Sequence, residues 1–159
     1  MIYIGLDNGV TGSIGIIIAD MVIYKPMPMF RQLNYTKTKQ FLRRIDAVAL
    51  TKFLQDIAKQ ECFCLMERPL VNPGRWKATV SAIRALEATQ TVLEMLKIPY
   101  SFIDSKEWQK ALLPSGLEKE ELKEASLNVG KRLFPNITWD EFSDGDGILI
   151  AEYCRRIKR

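Results

Sequence analysis

The sequence contains no histidine. That excludes Ser-His-Asp and Cys-His catalysis, zinc sites built on imidazole, and histidine general bases. Chemistry in this chain must run on carboxylates, lysines, hydroxyls or metal ions. Cysteine is scarce and odd in number, at three. A chain of this size needs no covalent staples, so reduced thiols in a cytoplasm are expected. No apolar run approaches the ~20 residues that span a bilayer. The opening Met1-Ile2-Tyr3-Ile4-Gly5 reads directly as a strand, without a basic region or cleavage site, so no secretion signal is expected. Internal repeats, low-complexity tracts and linkers are also missing, and 159 residues suit one domain over 1–159.

What is present is a globular balance of 47% apolar and 26% charged residues. The net charge of +4 is unevenly spread. Residues 1–110 carry 15 Lys/Arg against 10 Asp/Glu, whereas residues 111–159 carry 8 against 9. A polyanionic partner is a reasonable expectation.

Apolar patterning predicts strands at Ile2–Asp7, Gly12–Ala19 and Met21–Met27, an antiparallel meander ended by Pro26 and Pro28. Residues 29–45 carry Arg31, Lys37, Lys39, Arg43 and Arg44 with weak periodicity, and fit either a loop or an edge strand. Asp46 is expected to cap a helix reaching Gln60, with Val48, Leu50, Phe53, Leu54 and Ile57 on one stripe. Cys62–Glu67, an apolar run ending in an acid, reads as a central buried strand. A proline-containing loop over Pro69–Trp76 precedes a long helix, Lys77–Lys97, with Val80, Ile83, Leu86, Ala88, Val92 and Leu96 at helical spacing. A strand at Pro99–Ile103, a helix capped by Ser105 and running to Leu113, and helices at Glu118–Phe134 and Asp140–Arg159 complete the chain. The implied fold class is α/β: a mixed five-stranded sheet, three antiparallel strands plus parallel ones, flanked by helices.

Acids occupy positions where acids are costly. Asp7 and Glu67 end the first and the central strand. If those strands are parallel neighbours, their last residues lie roughly 5 Å apart, at the carboxyl edge where open α/β sheets bind ligands. Two such carboxylates require a shared proton or a cation. Asp146 shares a helix face with Leu149, Ile150, Tyr153 and Ile157, and so points toward the sheet. Asp144, two residues earlier, is placed at or just before the helix start, from where its carboxylate can turn into the same crevice. Carboxylates without histidine or cysteine ligands select a hard ion, Mg²⁺ or Mn²⁺. Two such ions roughly 4 Å apart suit phosphodiester cleavage. With these four acids set aside, 23 basic residues face 15 acidic ones, a net of +8 that favours nucleic acid.

Plainer roles compete for each residue. Asp7 in Asp7-Asn8-Gly9 suits an ordinary turn, Glu67 beside Arg68 suits a structural ion pair, and Asp144 suits an N-cap. Cys62 and Cys64 alternate on one strand and read as core filler.

Three stretches, Ile4-Gly5-Leu6-Asp7-Asn8-Gly9-Val10-Thr11-Gly12-Ser13, Leu65-Met66-Glu67-Arg68-Pro69 and Asp146-Gly147-Ile148-Leu149-Ile150-Ala151-Glu152-Tyr153, resemble the RuvC-type Holliday-junction resolvases. The resemblance is to their bacteriophage branch, within the ribonuclease H-like superfamily, and it covers nearly the whole chain. The Asp-x-Gly and Thr-Gly-Ser elements also look like the phosphate loop of actin-like sugar kinases, which need two such domains. A glutamate at a strand end, as at Glu67, is the resolvase placement rather than the ribonuclease H one. The resemblance implies Asp7, Glu67 and Asp146 as metal ligands for Mg²⁺ or Mn²⁺, two ions per subunit. The family's further aspartate falls on Ser143 here, and Asp144, one residue off, is assigned that role. Lys110 and Lys123 stand where the resemblance implies catalytic lysines. It further implies a homodimer in the host cytoplasm that makes symmetric nicks in a four-way DNA junction, leaving 5′-phosphate ends. Flap or fork cleavage, or structure-specific DNA binding without catalysis, are the alternatives.

The loop after Glu67 combines Arg68, Arg75 and Lys77 with Trp76, a composition suited to gripping phosphate and stacking on an unpaired base. In the resolvases the matching segment probes the crossover, which makes Leu70 and Trp76 candidate wedges; Asn72 belongs to the same segment and Arg84 extends the cationic track. The competing reading packs Trp76 beneath the long helix as a staple.

Overall fold

The computed structural model describes residues 1–35, 37, 39–140 and 143–158. Strands β1 (Ile2–Leu6), β2 (Ser13–Ile18) and β3 (Met21–Pro26) form the expected antiparallel meander. β4 (Met29–Leu33) and β5 (Phe41–Ile45) pair only with each other, so the segment that fitted a loop or an edge strand is a separate two-stranded ribbon. Then follow α1 (Ala47–Leu54), β6 (Cys62–Glu67), α2 (Trp76–Met95), β7 (Tyr100–Ile103), α3 (Ser105–Leu112), α4 (Lys119–Leu133) and α5 (Asp146–Ile157). The main sheet runs β3-β2-β1-β6-β7, with β6 parallel to both β1 and β7. Mixed pairing follows from the connections: tight turns join the meander, whereas helical crossovers return the chain in parallel.

Side-chain alternation sorts the sheet into two faces. Ile2, Ile4, Leu6, Cys62, Cys64 and Met66 face one way and bury against α1 and α2 through Leu50, Leu54, Val92 and Leu93. Tyr3, Phe63 and Leu65 face the other way, toward α3, α4 and α5. Period two therefore sends Asp7 and Glu67 to the α5 side as well. Cys62 and Cys64 are buried and unpaired on the opposite face, as core filler. Cys154 is also a free buried thiol.

α5 lies directly on the strands. Gly5 and Gly15 are register partners on adjacent strands. A Cβ at Gly5 would overlap the backbone of Gly147 and Ala151, and one at Gly15 would overlap that of Ile148. Only glycine permits main chain to meet main chain here. Within α5, Glu152 sits buried near the far end and accepts from Arg155 Nε at 2.7 Å and Arg156 Nε at 2.8 Å. Burial alone would raise the Glu152 pKa; the two guanidinium bonds reverse that and leave it lowered.

Several expected boundaries shift. α5 begins at Asp146 rather than Asp140, because Gly145 takes a left-handed φ of 88° that helical residues cannot share. α1 ends at Leu54, short of Gln60, and Val48 on its expected stripe is exposed. α3 is capped by Asp104 rather than Ser105, its backbone N–H donating to Glu107 at 3.4 Å. On α2 the buried positions are Thr79, Ala85, Thr89, Val92 and Leu93; Ile83 points outward, as does Ile157 on α5. No helix among the described residues is long and apolar enough to cross a membrane.

Candidate active site

The parallel register pairs Leu6 with Met66, so the next residues, Asp7 and Glu67, leave adjacent strands side by side. At the strand spacing, the backbones that carry these two acids lie roughly 5 Å apart. Asp7 is not an ordinary turn residue. Its N–H still continues the sheet, donating to the Ser13 carbonyl at 3.0 Å, and it lines the same cavity as Glu67. Burial pushes its pKa well above the usual value, and the charges of Asp144, Asp146 and Glu67 push it further. Lys123, exposed on α4, opposes the rise.

Glu67 does not pair with Arg68, which reaches Asp104 instead at 3.4 Å. Its Oε2 accepts the indole N–H of Trp108 at 2.7 Å. Burial raises the Glu67 pKa, and the Trp108 bond partly offsets that. Asp146, the first residue of α5, accepts a short hydrogen bond from the Ser126 hydroxyl on α4. Burial pushes its pKa up to about 7 despite that bond, with the charges of Asp144 and Glu67 adding to the rise. The mutual influence of these acids places them in one electrostatic unit.

Asp144 is buried and its Oδ1 is heavily used. It accepts from Ser13 Oγ at 2.6 Å, from the Asp146 N–H at 3.0 Å, and from Tyr24 Oη at 3.5 Å. Ser13 Oγ in turn accepts from the Gly147 N–H at 2.9 Å. This knot ties the start of α5 to β2 and β3, and it satisfies helix N-terminal donors that would otherwise be unpaired. Ser143 Oγ donates to Asp140 at 2.8 Å, away from that knot.

Asp7 and Glu67 floor a cavity of about 250 Å³ whose walls include Arg68, Leu70, Asn72 and Arg75. The proposed DNA loop therefore opens onto the acids. Leu70 is 76% exposed and Trp76 is 70% exposed, so Trp76 is not a staple under α2. Asn72 caps the short 3-10 turn at Pro73–Arg75 through its side chain, accepting from the Gly74 N–H at 2.9 Å. Lys77 and Arg84 are exposed on α2. Lys110 stands exposed on α3, two residues past the fully buried Trp108 and so on the opposite side of that helix from the side chain that reaches Glu67. Of the two lysines, Lys123 is the one whose charge reaches the acids.

Sequence reading missed Trp108, Ser126 and Tyr24, the side chains that hold the acids. Ser13 was visible in the Thr11-Gly12-Ser13 stretch, but its bond to a residue 131 positions away was not.

The donor set consists of carboxylate oxygens, which suits a hard divalent ion. Three or more acids standing close enough to form a ready ligand cluster are not found among the described residues. The acids share a field without yet closing on a point, and Glu67 and Asp146 each have one carboxylate oxygen held by a neighbour.

No protein-family model and no curated protein sequence matches the chain. Among solved structures it is similar to "T. thermophilus RuvC in complex with Holliday junction substrate", with a TM-score of 0.59 and 13% identity over 95% of this chain and 90% of that one. The fold is RuvC-like. A further Thermus thermophilus RuvC structure aligns over 99% of this chain and 97% of that one, at TM-score 0.49 and 14% identity. The RuvC-like fold accounts for the sheet order and its flanking helices.

Proposed function

We propose that this protein is a divalent-metal-dependent endonuclease acting on branched DNA, with four-way Holliday junctions as its main substrate. The supporting observation is the placement of Asp7, Glu67 and Asp146 on the α5 side of the sheet, each with a pKa raised by burial and by its acidic neighbours. Such repulsion is tolerated in a fold that gains a counter-charge on binding. Asp7, Glu67 and Asp146 are the proposed ligands for Mg²⁺ or Mn²⁺, two ions per subunit, with Asp144 as a fourth acid that also caps α5. When bound, such ions would supply Lewis acidity and an activated water for phosphodiester hydrolysis.

The chain's own residues divide the remaining work. Asp7 and Glu67 fix the reacting region on rigid strands. Trp108 and Ser126 orient Glu67 and Asp146. Lys123 offsets part of the negative charge beside Asp7 and Asp146, and is the lysine best placed to face a phosphate; Lys110 keeps a subordinate place in the proposal. Arg68, Arg75 and Lys77 hold backbone phosphates near the cavity. Leu70 and Trp76 are exposed apolar groups, with Asn72 shaping the turn between them, and act as wedges at an open crossover. Arg84 extends the contact along α2.

The remaining parts of the reading rest on resemblance. They are a homodimer whose subunits each nick one strand, a role in recombination and phage DNA processing, and a place in the bacterial host cytoplasm. A nicking assay on a synthetic four-way junction, with and without Mg²⁺, tests the core of it. Metal-dependent paired nicks are expected. Equal cutting of flaps and junctions would move the reading to a general branched-DNA nuclease. Junction binding with no cutting in any divalent ion would favour a noncatalytic DNA-binding protein, a reading to which the Ser143 position lends support.

A further inference from the structure

The β4–β5 ribbon has a charge pattern that the fold does not explain. Residues 29–45 contain five cations, Arg31, Lys37, Lys39, Arg43 and Arg44, and no acid. The ribbon's register sets Arg31 directly opposite Arg43. Like charges facing each other across a strand pair destabilise it. Nothing in the ribbon neutralises them: among the described residues Arg31, Arg43 and Arg44 form no ion pair. Two guanidinium groups are instead braced on rings, Arg31 over Phe41 at 5.1 Å and Arg44 over Phe30 at 5.9 Å. Arg44 also donates to Gln32 at 2.9 Å. Bracing of this kind holds a guanidinium in place while keeping its charge available.

The ribbon's position matters as much as its charge. Pro26, the end of β3, is the register partner of Ser13, so the chain enters the ribbon from the same sheet edge that carries Asp7. The root is anchored by buried Met27 and Ile45 and by the Asp46 N–H donating to the Pro28 carbonyl at 2.9 Å. Between the ribbon, α1 and α2 lies a groove of about 830 Å³, to which Arg43, Arg44, Lys52 and Arg84 contribute, with Glu87 as its one acid among the described residues. Val10, three residues beyond Asp7, reaches the same groove.

We propose that the β4–β5 ribbon is a DNA arm, in which Arg31, Arg43 and Arg44 hold the phosphate backbone of a duplex limb next to the acidic crevice. The choice of partner rests on the nuclease reading above. A five-residue strand spans about 17 Å, and duplex DNA carries one negative charge per ~1.7 Å of axis. The ribbon therefore faces several phosphates at once, which relieves the Arg31–Arg43 repulsion. Contacts of this type position DNA without reading its sequence.

The test is R31Q/R43Q, with Arg44→Gln as a second variant, measured by fluorescence anisotropy on a four-way junction and a linear duplex in EDTA. Loss of two phosphate contacts lowers the slope of log affinity against log salt by roughly 1.8. The weakening is expected to be similar on both DNAs, with a melting temperature equal to or above wild type because the like-charge pair is gone. A folded R31Q/R43Q whose salt slope and affinity match wild type overturns the arm, and would point to an acidic protein as the ribbon's partner. Cleavage measured in parallel in Mg²⁺ separates the two readings. If wild type cuts junctions while the ribbon variants bind normally, the arm alone fails. If wild type cuts nothing while the variants lose DNA, the nuclease reading fails and the arm stands.

Discussion

Trp108 donates its indole N–H to Glu67 at 2.7 Å across 41 residues of sequence, and it does so while fully buried. A carboxylate held in this way keeps one oxygen toward the cavity and loses rotational freedom. Partners of metal-ligating residues commonly contribute tenfold to a hundredfold in metal affinity or activity. Trp108→Phe keeps most of the ring's packing and removes the donor. The expected result is Mn²⁺ binding weakened roughly tenfold or more by calorimetry, in a protein that still folds. Unchanged binding would reduce Trp108 to a core residue.

Asp7→Asn and Glu67→Gln are expected to abolish nicking and to retain junction binding, since both remove charge from a crowded crevice without touching the cationic loop. The same substitutions should stabilise the metal-free protein, because each folded-state pKa is raised by burial and like charge. Melting curves in EDTA check this. A gain of about 1 kcal/mol corresponds to roughly 2–4 °C in a chain of this size.

The pH dependence of folding has a definite sign. Asp146 titrates near 7 when folded, against an ordinary value of 3.8. Between those values the folded state holds the extra proton, so metal-free stability falls as pH rises. Glu152 has the opposite shift, and its contribution is lost only as pH falls through its lowered folded pKa. Melting in EDTA should therefore be higher at about pH 5 than at about pH 8, and Asp146→Asn should flatten that difference. A steeper difference in the variant would contradict the assignment.

Trp76→Ala is expected to leave the melting temperature unchanged, because the side chain is mostly exposed, and to weaken junction binding more than duplex binding. Stacking on a base is worth about 1–3 kcal/mol, which is at least a fivefold change in dissociation constant. Equal losses on both DNAs would make Trp76 a general contact rather than a wedge.

The main sheet was legible because its signals are local. Ile2–Asp7 and Cys62–Glu67 are apolar runs ending in an acid, and their parallel pairing follows from the helical crossover between them. The ribbon was not legible, because β4 and β5 bury little and show no clean alternation: Met29, Phe30, Leu33 and Phe41 are all exposed. The start of α5 was misjudged because the Gly145 turn competes with a pattern that reads as helical from Asp140. At the site, the acids announced themselves by their cost. The groups that orient them did not, since a tryptophan or serine on an amphipathic helix looks like any other core or surface residue until its long-range partner is known.

Where α5 crosses Gly5 and Gly15, no side chain lies between helix and sheet to act as a cushion. The offset between the β1 acid and the α5 acid is thus dictated by main-chain contact rather than by rotamer choice. The groups that orient or offset the acids, Trp108, Ser126 and Lys123, stand on α3 and α4, which pack against α5 and are not fixed by this glycine contact.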